Sequence, residues 1–143
     1  TGDGKLNVVA ISKDHHLRRY TLDASQGMTG LRVIGKNWKN VVQTTGAGDF
    51  SRDGVKDLYT TTKAGDLVVY HFKKGASVRK QKAGHGWTGY TAFFSPGHLG
   101  GNATQDIVGR KADGTLWLYV NKQGSFAPAK QIGRGWKGFT MFG

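Results

Sequence analysis

The sequence predicts an all-β chain built from three copies of one unit of about 49 residues, and two observations carry that prediction. The first is phase. Trp38, Trp87 and Trp136 lie 49 residues apart, each closing a similar phrase: Val33-Ile34-Gly35-Lys36-Asn37-Trp38, Lys82-Ala83-Gly84-His85-Gly86-Trp87 and Gln131-Ile132-Gly133-Arg134-Gly135-Trp136. Leu17, Leu67 and Leu116 keep step with them, as do Tyr20, Tyr70 and Tyr119, and a polar turn precedes each leucine. Self-similarity at such a period marks a repeat architecture. The second observation is local pattern. Short segments rich in β-branched and aromatic residues alternate with glycine-containing turns, and no window carries a capped apolar stripe of period 3.6. Essentially no helix is expected.

In the middle unit the strands are expected at residues 41–45, 58–62, 67–72 and 78–82. Four antiparallel strands in a unit of this length are the pattern of a β-propeller blade. One blade cannot bury its apolar faces alone, so consecutive blades must stack. The whole chain, 1–143, is expected to form one propeller domain, with repeats at approximately 1–50, 51–99 and 100–143.

Alignment of the copies sets Thr1 opposite Ser51 and Gly143 opposite Thr45. The chain is therefore expected to hold strands 2–3–4 of one blade, two full blades, and a lone first strand at 139–142. That is three blades' worth, shifted by one strand. Rings have about four to eight blades, so a second chain is expected to complete this one. A homodimeric six-bladed ring is one solution, and pairing with a complementary propeller fragment is the other.

The chain carries 21 Lys and Arg against 9 Asp and Glu, a net charge of +12. That balance favours an acidic partner, such as an anionic cell-envelope polymer, a membrane surface, an acidic protein or nucleic acid. Nucleic acid has support from charge alone. No apolar run approaches 18 residues, so membrane insertion is not expected. Cysteine is absent, which excludes disulfides and thiolate zinc sites.

Residues 48–58 read Gly-Asp-Phe-Ser-Arg-Asp-Gly-Val-Lys-Asp-Leu. Oxygen side chains at Asp49, Ser51, Asp53 and Asp57 fall at relative positions 1, 3, 5 and 9, and the Val55 carbonyl can add another. Calcium takes oxygen ligands from loops spaced this way. The alternative is an Asx-rich turn whose carboxylates cap their own backbone amides. In the third copy His98, Gly100, Asn102 and Asp106 hold the four positions; in the first only Thr1, Asp3 and Asn7 are present.

On residues 48–58, on Gly-Thr-Leu-Trp-Leu-Tyr at 114–119 and on Ile-Gly-Arg-Gly-Trp-Lys-Gly-Phe at 132–139, the chain resembles the FG-GAP/VCBS repeat family of integrin-type and secreted propellers. The Gly-Trp phrasing is also similar, more weakly, to tachylectin-type sugar-binding propellers. These resemblances imply a secreted β-propeller that binds calcium in its loops and serves adhesion or recognition.

No nucleophile elbow, P-loop, HExxH or cysteine–histidine metal pattern occurs, and a non-enzymatic role is expected. The binding feature that stands out is a cation beside each phased tryptophan. Lys36 and Lys39 flank Trp38, His85 precedes Trp87, and Arg134 and Lys137 flank Trp136. An open aromatic face stacks on sugars or bases, and a neighbouring cation holds an acidic group. The competing role for those tryptophans is packing between blades. The leading function is a secreted recognition module for carbohydrate or an anionic envelope polymer. The runner-up is a propeller that regulates or inhibits a partner such as a secreted protease.

Overall fold

The computed structural model describes residues 7–25, 27–73, 79–101 and 104–140. It is all-β, with no α-helix among the described residues, and its eleven strands form three antiparallel meanders. The first sheet holds β1 (Asn7–Ile11), β2 (Leu17–Asp23) and β3 (Gly27–Gly35). The second holds β4 (Val41–Gly48), β5 (Asp57–Thr62), β6 (Leu67–His71) and β7 (Arg79–Gly84). The third holds β8 (Tyr90–Gly97), β9 (Asp106–Lys111), β10 (Leu116–Tyr119) and β11 (Lys130–Gly133). In each sheet spatial order follows chain order.

The expected strands of the middle unit fall on β4 to β7, with β4 running three residues further, to Gly48. Val78, the expected start of the last one, lies outside the described residues. The lone strand expected at 139–142 is not formed over Phe139 and Thr140, where no described strand offers a ladder, and 141–142 lie outside the described residues.

Period-2 alternation explains how the sheets stack. In β6, Leu67 and Val69 point to one face and Val68 and Tyr70 to the other. One face joins a core with Trp87, Phe93 and Ile107 across to the third sheet. The other joins Leu17 and Trp38 of the first repeat. The inner strands of the second sheet are thus covered on both faces, which accounts for the buried run from Asp57 to Thr61 along β5. Polar links tie it to the third sheet. The Tyr59 hydroxyl donates to the Gln105 carbonyl (2.9 Å) and accepts from Asn121 Nδ2 (2.9 Å), and Gln43 Nε2 donates to the Thr91 carbonyl (2.9 Å).

The phased phrase has a local cause. Each tryptophan amide donates to the carbonyl of the preceding hairpin turn: Trp38 to His15 (2.8 Å), Trp87 to Gly65 (2.9 Å) and Trp136 to Gly114 (2.9 Å). The residue before each tryptophan is left-handed, with φ of 62° at Asn37, 81° at Gly86 and 84° at Gly135. Glycine and asparagine tolerate that region best. The glycine three residues before the tryptophan lies under the indole. A β-carbon at Gly35 would collide with Trp38, and one at Gly133 would sit 3.2 Å from the Trp136 ring nitrogen, whereas Gly84 has ordinary room at 3.5 Å.

Burial pushes the Tyr59, Tyr70 and Tyr90 hydroxyls above their ordinary pKa of 10.0, and for Tyr90 the hydrogen bond with Tyr119 adds to it. The folded chain therefore keeps these protons at a pH where the unfolded chain has begun to lose them. Their contribution is complete below about pH 10 and declines as pH rises towards the folded values. The melting temperature is expected to fall steadily above pH 10, with tyrosinate absorbance lagging behind that of the unfolded chain. A flat melting temperature through pH 11 would contradict this.

Candidate functional site: the groove between the second and third sheets

Trp87 sits at the start of a single 3-10 turn (Trp87–Gly89) that leads β7 into β8. Its indole stacks on Tyr119 of β10, with centroids 4.9 Å apart, and on Tyr90, 4.6 Å away. The Tyr90 and Tyr119 hydroxyls are hydrogen-bonded to each other. Trp38 repeats the arrangement one unit earlier, 4.2 Å from Tyr70. Trp38 and Trp87 are each only 4% exposed.

This placement corrects one expectation. Trp38 and Trp87 do not offer open faces to a sugar, because a tyrosine of the next repeat already covers each. They form the packing between sheets. Trp136 differs: it is half-buried and stacks on Phe139 at 4.7 Å. The flanking side chains of Lys36, Lys39, His85, Arg134 and Lys137 are all exposed.

Above the Trp87 edge lies a groove of about 360 Å³, walled on one side by Ala83, Gly84 and His85 and on the other by Tyr119 and residues 126–129. Its floor is apolar, with Phe126 packed on Tyr119 (6.2 Å) and Tyr59 (5.9 Å). His85 is the ionisable group on its rim. Lys36 and Arg134 occupy the same place, two residues before the tryptophan, in the other units. The wall at 126–129 escaped sequence reasoning, since Phe126-Ala127-Pro128-Ala129 is not repeated in the other copies and only its proline suggested an irregular segment.

Elsewhere cations do lie over rings. Lys111 Nζ is 4.3 Å from the Trp117 centroid and 5.6 Å from that of Tyr90, and Lys80 Nζ is 5.6 Å from that of Tyr70. Trp117 lies outside the phased set, so the repeat gave no hint of it.

The aspartate loop is held by its own amides. Asp49 accepts from the amides of Asp53 (3.0 Å) and Gly54 (2.9 Å), and Asp53 accepts from that of Val55 (2.9 Å). Asp57, 1% exposed, accepts from the amides of Ser51 (2.9 Å) and Phe72 (3.1 Å) and faces His71 Nδ1 at 3.2 Å. His71 Nε2 in turn meets Gln81 at 3.2 Å. Asp106 does the same work one unit later, accepting from Gly100 (2.6 Å) and Asn121 (2.9 Å). Ser51 Oγ is buried without a hydrogen-bond partner among the described residues, yet no three acidic or histidine side chains there converge on a point that could hold a cation. The loop carboxylates thus cap backbone amides, as the Asx-turn alternative expects. Thr1, Asp3 and Asn102 lie outside the described residues. If amides alone hold the loop, chelation with EGTA leaves the melting temperature unchanged; a rise of several degrees on adding calcium would favour the calcium reading instead.

No protein-family model matches the chain, and no curated protein matches it significantly.

Proposed function

We propose that the three sheets are consecutive blades of a β-propeller of the FG-GAP/VCBS kind, and that the protein is a secreted, non-enzymatic recognition module for acidic carbohydrate. The stacking of one meander on the next, with the same tryptophan–tyrosine contact at both junctions, supports the propeller part. The observation that carries the binding part is the groove at His85 and Trp87, an apolar trough with an exposed imidazole at its rim. Sugars present apolar faces that settle on such a floor, while a carboxylate, sulfate or phosphate on the sugar accepts a hydrogen bond from the imidazole. Lys36 and Arg134, exposed at the same place in the other units, add basic charge without repeating the groove. The net charge of +12 concentrates anionic polymers near the surface.

A glycan array holding neutral and acidic oligosaccharides tests this. Retention of acidic glycans is expected, and His85→Glu is expected to weaken it about tenfold, since it removes an N–H donor and sets a carboxylate against the anionic ligand. His85 is exposed, so the melting temperature should not move. Silence on the array, with capture of a single protein partner, would favour the regulatory reading instead.

A further inference from the structure

The second unit departs from the third at one end of its sheet. In repeat register Ser51, His71 and Arg79 correspond to Gly100, Val120 and Pro128. In the third unit Val120 lies against Gly100, and a β-carbon added at Gly100 would collide with it. In the second unit Ser51 and His71 take those two places, and a cavity of about 460 Å³ opens beside them. Among the described residues it is lined by Ser51 and Asp53 of the β4–β5 loop, His71 at the end of β6, Lys73 just beyond it, and Arg79 at the start of β7.

The third unit shows that the fold closes at this place without a hydroxyl or an imidazole. Ser51 Oγ is shielded from solvent and has no hydrogen-bond partner among the described residues. A buried hydroxyl in that state is destabilising, and a ligand oxygen in the cavity would supply the missing acceptor. His71 is 3% exposed and is fixed through both ring nitrogens, by Asp57 and Gln81, each at 3.2 Å. It forms a rigid wall. Lys73 and Arg79 are exposed and bring two positive charges against the one carboxylate of Asp53.

We propose that this cavity binds a phosphate monoester of a small hydroxylated molecule. Such a group carries about two negative charges at neutral pH and three strongly accepting oxygens. The cavity offers it three separate donors: the Ser51 hydroxyl, the Lys73 ammonium and the Arg79 guanidinium. A carboxylate has too few oxygens to use all of them. Asp53 repels the phosphate and so directs it towards Lys73 and Arg79. One oxygen of Asp53 accepts from the Val55 amide (2.9 Å), and the exposed carboxylate can also accept from a hydroxyl on the organic part. The volume exceeds what phosphate alone fills and lies within the range of small-molecule sites. Inorganic phosphate meets the same donors but leaves the Asp53 side unused, so it binds more weakly.

Titration of the 143-residue chain with glycerol 3-phosphate, inorganic phosphate and glycerol, followed by amide chemical shifts, tests this. Glycerol 3-phosphate is expected to saturate one site, inorganic phosphate to bind it more weakly, and glycerol not to bind. Ser51→Ala keeps every charge and should lower the affinity about tenfold, the loss of one hydrogen bond to a charged group. Lys73→Ala should lower it by about as much. Lys122→Ala removes the same charge from the corresponding place in the third unit and should change nothing. No saturable shift, equal losses at Lys73 and Lys122, an unaffected Ser51→Ala variant, or phosphate binding as tightly as its ester would each overturn the proposal. So would calcium binding that Ser51→Ala abolishes, because it would place a cation at the hydroxyl. None of these positions lines the groove at His85, so the result stands apart from whether acidic glycans bind there.

Discussion

Trp87→Ala is expected to cost about 3–5 kcal/mol, the usual range for deleting a large buried aromatic side chain. Its indole touches Tyr90, Phe93 and Tyr119 and is the hinge of the core that joins the second sheet to the third. The cavity cannot collapse easily, because the Tyr90–Tyr119 hydrogen bond and the Tyr59 links to Gln105 and Asn121 hold both walls apart. Against a total stability of roughly 5–15 kcal/mol for a domain, such a loss removes much of the folded population's margin. Chemical denaturation with intrinsic fluorescence measures it. Trp136→Ala provides the internal comparison: the residue is only half-buried, so the folded chain should lose well under half as much. Equal losses at the two positions would contradict the claim that Trp87 is inter-sheet packing.

Asp57→Ala is expected to be as damaging, by a different route. Removing the carboxylate leaves the amides of Ser51 and Phe72 without an acceptor and His71 without its partner, all at a buried position. Removing one partner of a buried ion pair or charge-assisted set costs about 3–5 kcal/mol, because the remaining groups stay desolvated. Asp57→Asn keeps one acceptor oxygen and should recover part of that loss. Asp49→Ala offers the contrast. Its two amide contacts are solvent-exposed, and the expected cost is about 1 kcal/mol, that of losing a cap. If Asp49 and Asp57 proved equally costly, the loop would be acting as one unit, as a metal cage does.

How much of this was legible follows from which signals are periodic. The hairpins of the middle unit could be placed from β-branched residues and glycines alone, and β4 to β7 fall close to the expected positions. The phase of Trp38, Trp87 and Trp136 located the junctions, because each ring needs the same left-handed residue before it and the same turn carbonyl ahead of it. What phase cannot convey is what lies across the junction. A tryptophan under Tyr119 and a tryptophan open to a sugar read identically in sequence, so the aromatic floor was expected one residue too literally. The groove is formed instead by the Trp87 edge and by 126–129, a stretch without a counterpart in the other copies.

The aspartate loop shows the same limit at smaller scale. Positions 1, 3, 5 and 9 are spaced for a cation or for backbone amides, and spacing does not separate the two. One signal was available. Position 9 is Asp57 and Asp106 in the second and third copies, with Asn7 in the first, while Asp49, Ser51 and Asp53 give way to His98, Gly100 and Asn102 in the third. A carboxylate that persists when its neighbours change is doing something they do not share. In the structure it clips the loop to the end of the third strand of its own sheet, through Phe72 in one unit and Asn121 in the next.

The groove, finally, is what separates a recognition site from a merely basic surface. Charge alone would bind an acidic oligosaccharide diffusely and lose it as salt screens the surface. An apolar trough with an imidazole donor at its rim would hold it in one place and keep part of the affinity at high salt. The direct measurement is amide chemical-shift mapping on titration with a heparin-derived tetrasaccharide, a densely acidic probe, at low and at about 0.5 M salt. The groove reading predicts shifts centred on His85, Ala127 and Ala129 that persist at the higher salt. Shifts scattered over Lys13, Lys63, Lys122 and the other exposed cations, vanishing together as salt is raised, would contradict it.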